Sequence, residues 1–314
     1  MRKIAILIII SLISFNGYCF WIWSPKTKKW KNPKYSALVT PYLQYREAQK
    51  YFDTKRYKVA LTKFKKLIVN YPDAFEAAES QFFIGRCLQE LNQPYQAFLE
   101  FKKVLISYPN SQRINEVIER QYRIGEYFLG REPKRWLGVS MYDFVEHPAI
   151  EIFKTIVDKV PYSEYAPVSQ YKLGVLLMDL VRFQESREAF QKVIDDYPDS
   201  EWALPSRYQL AVATAKAFPG GGYDSSALEE ATRRLDEFIK KHPEAKVVSA
   251  ATDKLAELRN KEAKKKFDIA KFYEKQKKYK SAVVYYKTVL DEYPDSDYVS
   301  EARGKIEELR KYEE

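Results

Sequence analysis

At 314 residues and 46% hydrophobic content the chain could fill two ordinary domains, and its net charge of +10 raises the question of an anionic partner. Lysine is spread over most of the sequence, and no basic helix or aromatic RNA-binding motif accompanies it, so nucleic acid is set aside in favour of solvated helix faces. Only two cysteines occur, Cys19 and Cys87, and neither a disulfide framework nor a metal site follows from them.

In chain order, Met1, Arg2 and Lys3 precede an apolar run from Ile4 to Phe15, the charge-then-apolar order of a secretory signal and too short for a stable span. Two endings compete within 1–19. Gly17 and Cys19 suit ordinary signal cleavage before Phe20, whereas Cys19 itself is the candidate for lipidation, carrying the mature chain to a membrane. Residues 20–40 hold three tryptophans and several lysines without a helical or alternating period. Pro25 and Pro33 argue for an extended tether, either interfacial or a linker whose indoles cap the first repeat.

From residue 41 one phrase recurs. Ala60, Phe64, Leu67 and Pro72 share their spacing with Ala97, Phe101, Val104 and Pro109, and with Ala149, Phe153, Ile156 and Pro161. It returns with Ser186, Phe190, Val193 and Pro198, more weakly with Ala231, Leu235, Phe238 and Pro243, and last with Ala282, Tyr286, Val289 and Pro294. Six copies at a period of about 37 residues predict a helical repeat array, which grows by nearest-neighbour stacking and needs no single large core. Small residues stand twelve apart at Ala48 and Ala60, Gly85 and Ala97, Gly174 and Ser186, and Ala270 and Ala282, the mark of two helices crossing closely. A helical Gly costs roughly 1 kcal/mol against Ala, so Gly85 and Gly174 need a packing reason. Proline ends each second helix, and Ser111, Ser200 and Ser296 are placed to cap the next. Insertions at 130–148 and 218–226 predict projecting loops. Residues 245–276 read as one helix roughly 45 Å long, and Asp297 to Tyr312 as a closing helix. The fold class is therefore all-α, an α-solenoid of about six helix pairs over 41–296 with a C-terminal capping helix in 297–314.

No catalytic constellation appears. His147 and His242 each precede a proline in a turn, and Asp143, Glu146 and His147 read as an ordinary polar loop before a metal site. The chain is expected to be no enzyme, with no catalytic residue, metal or cofactor. An aromatic three residues before the small residue of each first helix, Tyr45, Phe82, Tyr122, Tyr171, Tyr208 and Phe267, forms a stripe. It is either a binding platform or a set of wedges between helices.

The small-twelve-small spacing and the A-x-x-x-F phrase closed by Tyr-Pro resemble the tetratricopeptide repeat over 41–294. The exported precursor with its Cys19, the long insertion in the third repeat, and the run K-L-A-E-L-R-N-K-E-A-K-K-K-F-D-I-A-K-F-Y-E-K-Q through to E-Y-P-D-S are similar to the BamD family. That resemblance implies a lipoprotein on the periplasmic face of the outer membrane. Such a protein docks on the barrel-forming subunit of the β-barrel assembly machinery and receives unfolded outer-membrane protein segments. It would place a peptide groove along Tyr45, Phe82, Tyr122, Tyr171 and Tyr208, and partner docking at Arg259, Lys261, Lys264, Lys265 and Lys266 on the long helix. The alternative is a periplasmic tetratricopeptide scaffold for cell-envelope or peptidoglycan machinery, similar to the Tol-Pal system's repeat protein.

Overall fold

The computed structural model describes residues 22–24, 29–31, 38–130, 135–136, 139–140, 146–217 and 226–312. The predicted signal with Cys19, most of both insertions, and Asp143 lie outside the described residues. Thirteen α-helices are described, all-α apart from two short hairpins, and the chain divides into two compact units at residue 124.

Unit 1 opens with a surprise. Where an extended tether was expected, Ile22–Ser24 (β1) pairs antiparallel with Lys29–Lys31 (β2). The directly opposed indoles of Trp23 and Trp30 meet edge to face at 5.6 Å. Such a cross-strand aromatic contact is a short-range attraction that no periodicity of six residues can reveal. Four helices and most of a fifth follow: α1 (Pro41–Asp53), α2 (Tyr57–Asn70), α3 (Phe75–Glu90), α4 (Pro94–Ser107) and α5 (Ile114–Leu129). Thr40 caps α1, its hydroxyl accepting from the Leu43 N–H at 3.2 Å, and Pro41 supplies the first helical φ.

Unit 2 takes the last turn of α5 and continues through α6 (Pro148–Lys159), α7 (Tyr165–Asp179), α8 (Phe183–Asp196), α9 (Ala203–Lys216) and α10 (Ser226–Lys241). The 28-residue α11 (Val248–Lys275), α12 (Tyr279–Glu292) and α13 (Val299–Leu309) complete it. In the third repeat's insertion a second hairpin joins Arg135–Trp136 (β3) to Val139–Ser140 (β4). Both units are solenoids of helical hairpins.

The hairpins are held at one contact. A Cβ on Gly85 would lie 2.5 Å from the Phe101 ring, one on Gly174 would lie 2.7 Å from Phe190, and one on Gly125 would lie 2.7 Å from Phe153. Each first helix thus bares its backbone to the aromatic of its partner helix, which is why glycine is tolerated there. The twelve-residue spacing also has a direct bond at one hairpin, where the Ser186 hydroxyl donates to the Gly174 carbonyl at 2.8 Å. A second lock is a buried glutamine four residues before the small one. The side-chain amides of Gln44, Gln81 and Gln170 donate to the carbonyls of Lys63, Glu100 and Ala189 at 3.0–3.1 Å, the residues just before Phe64, Phe101 and Phe190.

The turns differ in kind. Within hairpins a three-residue turn passes through a left-handed residue: Lys55, Asn92, Val181 or Lys277, with φ between 57° and 61°. Between hairpins the carbonyl before the proline accepts the N–H three residues on, as for Tyr71 from Ala74, Tyr108 from Ser111 and Tyr197 from Ser200. The serines act here and not on the helix: the Ser111 hydroxyl accepts from the N–H of Arg113, just before α5, at 3.2 Å. Ser200 instead donates back to the Tyr197 carbonyl at 2.8 Å, because it sits inside the turn and not beside the helix start.

In the long helix Ala251, Leu255 and Leu258 pack into the core of α9 and α10, while Ala263, Phe267 and Ala270 pack into the core of α12 and α13. Its length is about 42 Å at 1.5 Å per residue. Tyr312, past α13, stacks on Tyr279 at 4.4 Å.

Two substitutions check this packing. Gly174→Leu drives carbon into the Phe190 ring and should lower stability by roughly 1–3 kcal/mol or more, read from urea denaturation. Val181 is a β-branched residue at φ 61°, 69% exposed, so Val181→Gly sheds strain without losing contacts and should raise stability by roughly 0.5–1 kcal/mol, seen as a higher Tm.

Candidate interaction surfaces

In unit 1 the aromatic stripe is largely covered. Phe82 is 1% exposed, wedged against Phe83 and Phe101, so at this position the stripe is a wedge between helices and not the groove floor that the family resemblance implies. Its outer face is roofed by guanidiniums, Arg113 at 5.2 Å and Arg120 at 5.8 Å from the ring centre. Tyr45 leans on Phe64 and Phe83 and stays half-buried, its hydroxyl pKa pushed up to about 12 by burial and then by Glu79. Tyr122 is half-buried.

What this face of unit 1 presents is a network of charge. Arg113 donates to Glu79 at 3.0 Å and to Glu116 at 3.0 Å, and Arg120 donates to Glu116 at 2.7 Å and to the Gln89 side-chain oxygen at 3.2 Å. Burial pushes the Glu116 carboxyl up, but Arg120 and Arg113 outweigh it and hold it below the usual carboxylate range. Arg86 is only loosely paired, 3.7 Å from Glu116 and 3.9 Å from Glu90, and burial followed by Arg120 lowers its pKa.

In unit 2 Tyr171 sits between Phe190 at 5.7 Å and Trp202 at 4.9 Å, and Tyr208 packs against the α9–α11 core. Phe267 is 2% exposed against Tyr286 and Tyr298. These rings are wedges between helices, with an edge exposed only on the tyrosines.

The five cations of α11 divide between faces. At 3.6 residues per turn, Lys261, Lys264 and Lys265 share one side, whereas Arg259 and Lys266 lie on the side of Glu262. Lys261 pairs with Glu257 at 2.6 Å, Arg259 reaches Asp236 at 3.4 Å, and Lys264 is exposed. Glu262, buried between the two cores that α11 serves, accepts from the Thr232 hydroxyl at 3.1 Å. Burial raises its pKa, with Glu229 of α10 adding to the rise and Thr232, Arg259 and Lys266 opposing it. Tyr293 borders the same carboxylate, and its own pKa is pushed up to about 12 by burial and by Glu262.

The two histidines do packing and capping work. His147 caps α6, its Nδ1 accepting the Ala149 N–H at 3.2 Å, and Glu146 faces Arg182 at 3.4 Å. His242 packs on Phe238. Cys87 is buried, and burial pushes its thiol up to about 12, which makes it unreactive. No described helix is long and apolar enough to cross a membrane.

Residues 168–200, which span α7 and α8, match the tetratricopeptide repeat. Residues 206–311, from α9 through α13 and including the whole of the long helix, match the YfiO family, outer membrane lipoprotein. These two stretches, together less than half of the chain, are similar to the outer membrane lipoprotein family and to the tetratricopeptide repeat. The chain is also similar to a tetratricopeptide repeat protein from Parabacteroides merdae (12% identity, 86% of this chain and 98% of that one, TM-score 0.34). It is similar as well to MamA from Desulfovibrio magneticus (17%, 66% and 97%, 0.31). A further likeness is to YrrB, described as a repeat protein with an unusual peptide-binding site (16%, 70% and 94%, 0.34). No curated protein matches it.

The buried Glu262 carboxylate yields a pH test. A native pKa above the ordinary 4.5 means that protonated Glu262 contributes stability fully present below that value and lost as pH rises through the raised one. Urea denaturation should therefore show the wild type gaining on Glu262→Gln as pH falls from 7 towards 4.5, with the variant the more stable at pH 7.

Proposed function

We propose that this protein is a non-catalytic periplasmic scaffold of the outer-membrane β-barrel assembly machinery. It is held at the membrane by a lipid on Cys19, contacts the barrel-forming subunit through unit 2, and receives unfolded outer-membrane protein segments through unit 1. The observation that carries the reading is the outer membrane lipoprotein match over 206–311, which takes in the 28-residue α11 with its cation-bearing face. Lys261, Lys264 and Lys265 form the docking face, while Arg259 and Lys266 hold Glu262 from the other side. In unit 1 the client segment meets the exposed edge of Tyr45 and the guanidiniums above Phe82, in place of an open aromatic floor. Extended segments suit such a surface, since the arginines offer planar donors to backbone carbonyls and carboxylates.

Charge at an interface rim sets encounter rate and salt sensitivity more than contact area. Replacing Lys261, Lys264 and Lys265 with Glu should reduce recovery of the barrel-forming subunit from detergent-solubilised membranes at least about tenfold while leaving peptide capture unchanged. Tyr45→Ala should do the reverse, read by anisotropy with a labelled C-terminal peptide of an outer-membrane barrel. Equal loss of both activities in both variants would refute the division of labour, and recovery of peptidoglycan-associated partners in place of the barrel subunit would refute the assembly role.

A further inference from the structure

Unit 2 contains a recessed cleft of about 120 Å³ where α8, α9 and α10 meet. Its floor is apolar, made of the buried side chains of Ile194, Leu210 and Phe238. Its rim is cationic. Arg207 on α9 and Arg234 and Lys241 on α10 line it, against a single carboxylate, Glu237.

The rim cations are unequally committed. Arg234 bonds Glu230 at 2.6 Å, and Glu237 is taken by Arg233 at 2.5 Å, leaving Lys241 at 4.0 Å from it. Arg207 is exposed and makes no hydrogen bond or ion pair among the described residues. A guanidinium with five donors and no acceptor, at the lip of an apolar recess, is a charge whose counterpart is supplied from outside.

Size narrows the occupant. Sites for drug-sized ligands and cofactors run to roughly 300–1,000 Å³, so this cleft is too small for one. It is the size of a single anchoring side chain, the kind of pocket into which one residue of a partner protein inserts while its neighbours contact the rim. The recess also disfavours a membrane surface, which would press against a protruding patch and could not fill a concave apolar floor.

We propose that this cleft is a docking site for a protein segment that presents one aliphatic side chain flanked by acidic residues. The aliphatic group fills the space above Ile194, Leu210 and Phe238, and the flanking carboxylates pair with Arg207 and Lys241. The site is separate from the Lys261, Lys264 and Lys265 face and does not depend on the assembly role, so a partner found here would stand whether or not the barrel-forming subunit binds α11.

The test uses the full chain and a labelled peptide of sequence Glu-Asp-Leu-Asp-Glu, followed by fluorescence anisotropy at low salt. The wild type should bind it saturably, and Arg207→Glu should weaken binding at least about tenfold, as should Lys241→Glu. Lys192→Glu, an exposed change on α8 outside the cleft, should leave the affinity within about twofold. The peptide Glu-Asp-Gly-Asp-Glu should bind at least about fivefold more weakly, because it leaves the floor unfilled. Melting curves confirm folding, and because Arg207 and Lys241 lie on different helices, the failure of one variant to fold leaves the other to decide. The proposal is overturned if the wild type does not bind the peptide. It is equally overturned if both charge reversals bind like the wild type, if Lys192→Glu weakens binding as much as they do, if the glycine peptide binds as well as the leucine one, or if phosphatidylglycerol vesicles compete the leucine peptide away.

Discussion

Everything in this structure depends on how closely two helices of a hairpin can approach, and that distance is set where a side chain is missing. Gly85, Gly125 and Gly174 leave their backbones open to the rings of Phe101, Phe153 and Phe190. The ring fills the space a Cβ would occupy, so burial of a large aromatic and loss of a small one are the same event. Where the first helix carries Ala, as at Ala48 and Ala270, the residue is again fully buried. In three of the hairpins Gln44, Gln81 and Gln170, four residues earlier, then fix the rotation of the pair, since their amides must find a carbonyl in the interior or remain unbonded at a cost of about 1–3 kcal/mol.

Much of this was legible in the sequence, for a physical reason. A crossing point that admits only small residues and a facing position that demands an aromatic are constraints on volume, and volume is what residue identity reports. The hairpins, the proline turns and the long helix came directly from those constraints. The glutamine lock was visible as Gln44, Gln81 and Gln170 at one register, but a polar residue inside an amphipathic helix reads as surface until its partner carbonyl is known. Left-handed turn residues were less legible still. Asn92 has the chemistry for positive φ, whereas Lys55, Val181 and Lys277 do not; the closing geometry of the hairpin imposes the conformation on whatever residue stands there.

The binding surfaces were the least legible part. Spacing put aromatics in a line, and within each unit the structure packs these rings between helices, because a residue three before the crossing point faces a neighbouring helix. What stands outside them is arginine, contributed by helices separated by a whole repeat: Arg86 on α3, and Arg113 and Arg120 on α5. A cluster assembled across repeats leaves no local signature. In the same way Arg207, Arg234 and Lys241 share a cleft though they are scattered over α9 and α10, and the lysines of α11, adjacent in sequence, part company around the helix axis.

The long helix carries one further consequence. A solenoid flexes by small rotations shared out between successive repeats, each hairpin sliding a little on the next. In α11 that joint is absent, because the same uninterrupted backbone is a wall of the α9–α10 core at one end and of the α12–α13 core at the other. The two cores move as one body, and a force applied at α13 reaches α9 through about 42 Å of continuous hydrogen-bonded helix without passing through a hinge. Unit 2 therefore ends in a lever, and a partner gripping its far end would tilt the wall of the inner core with it.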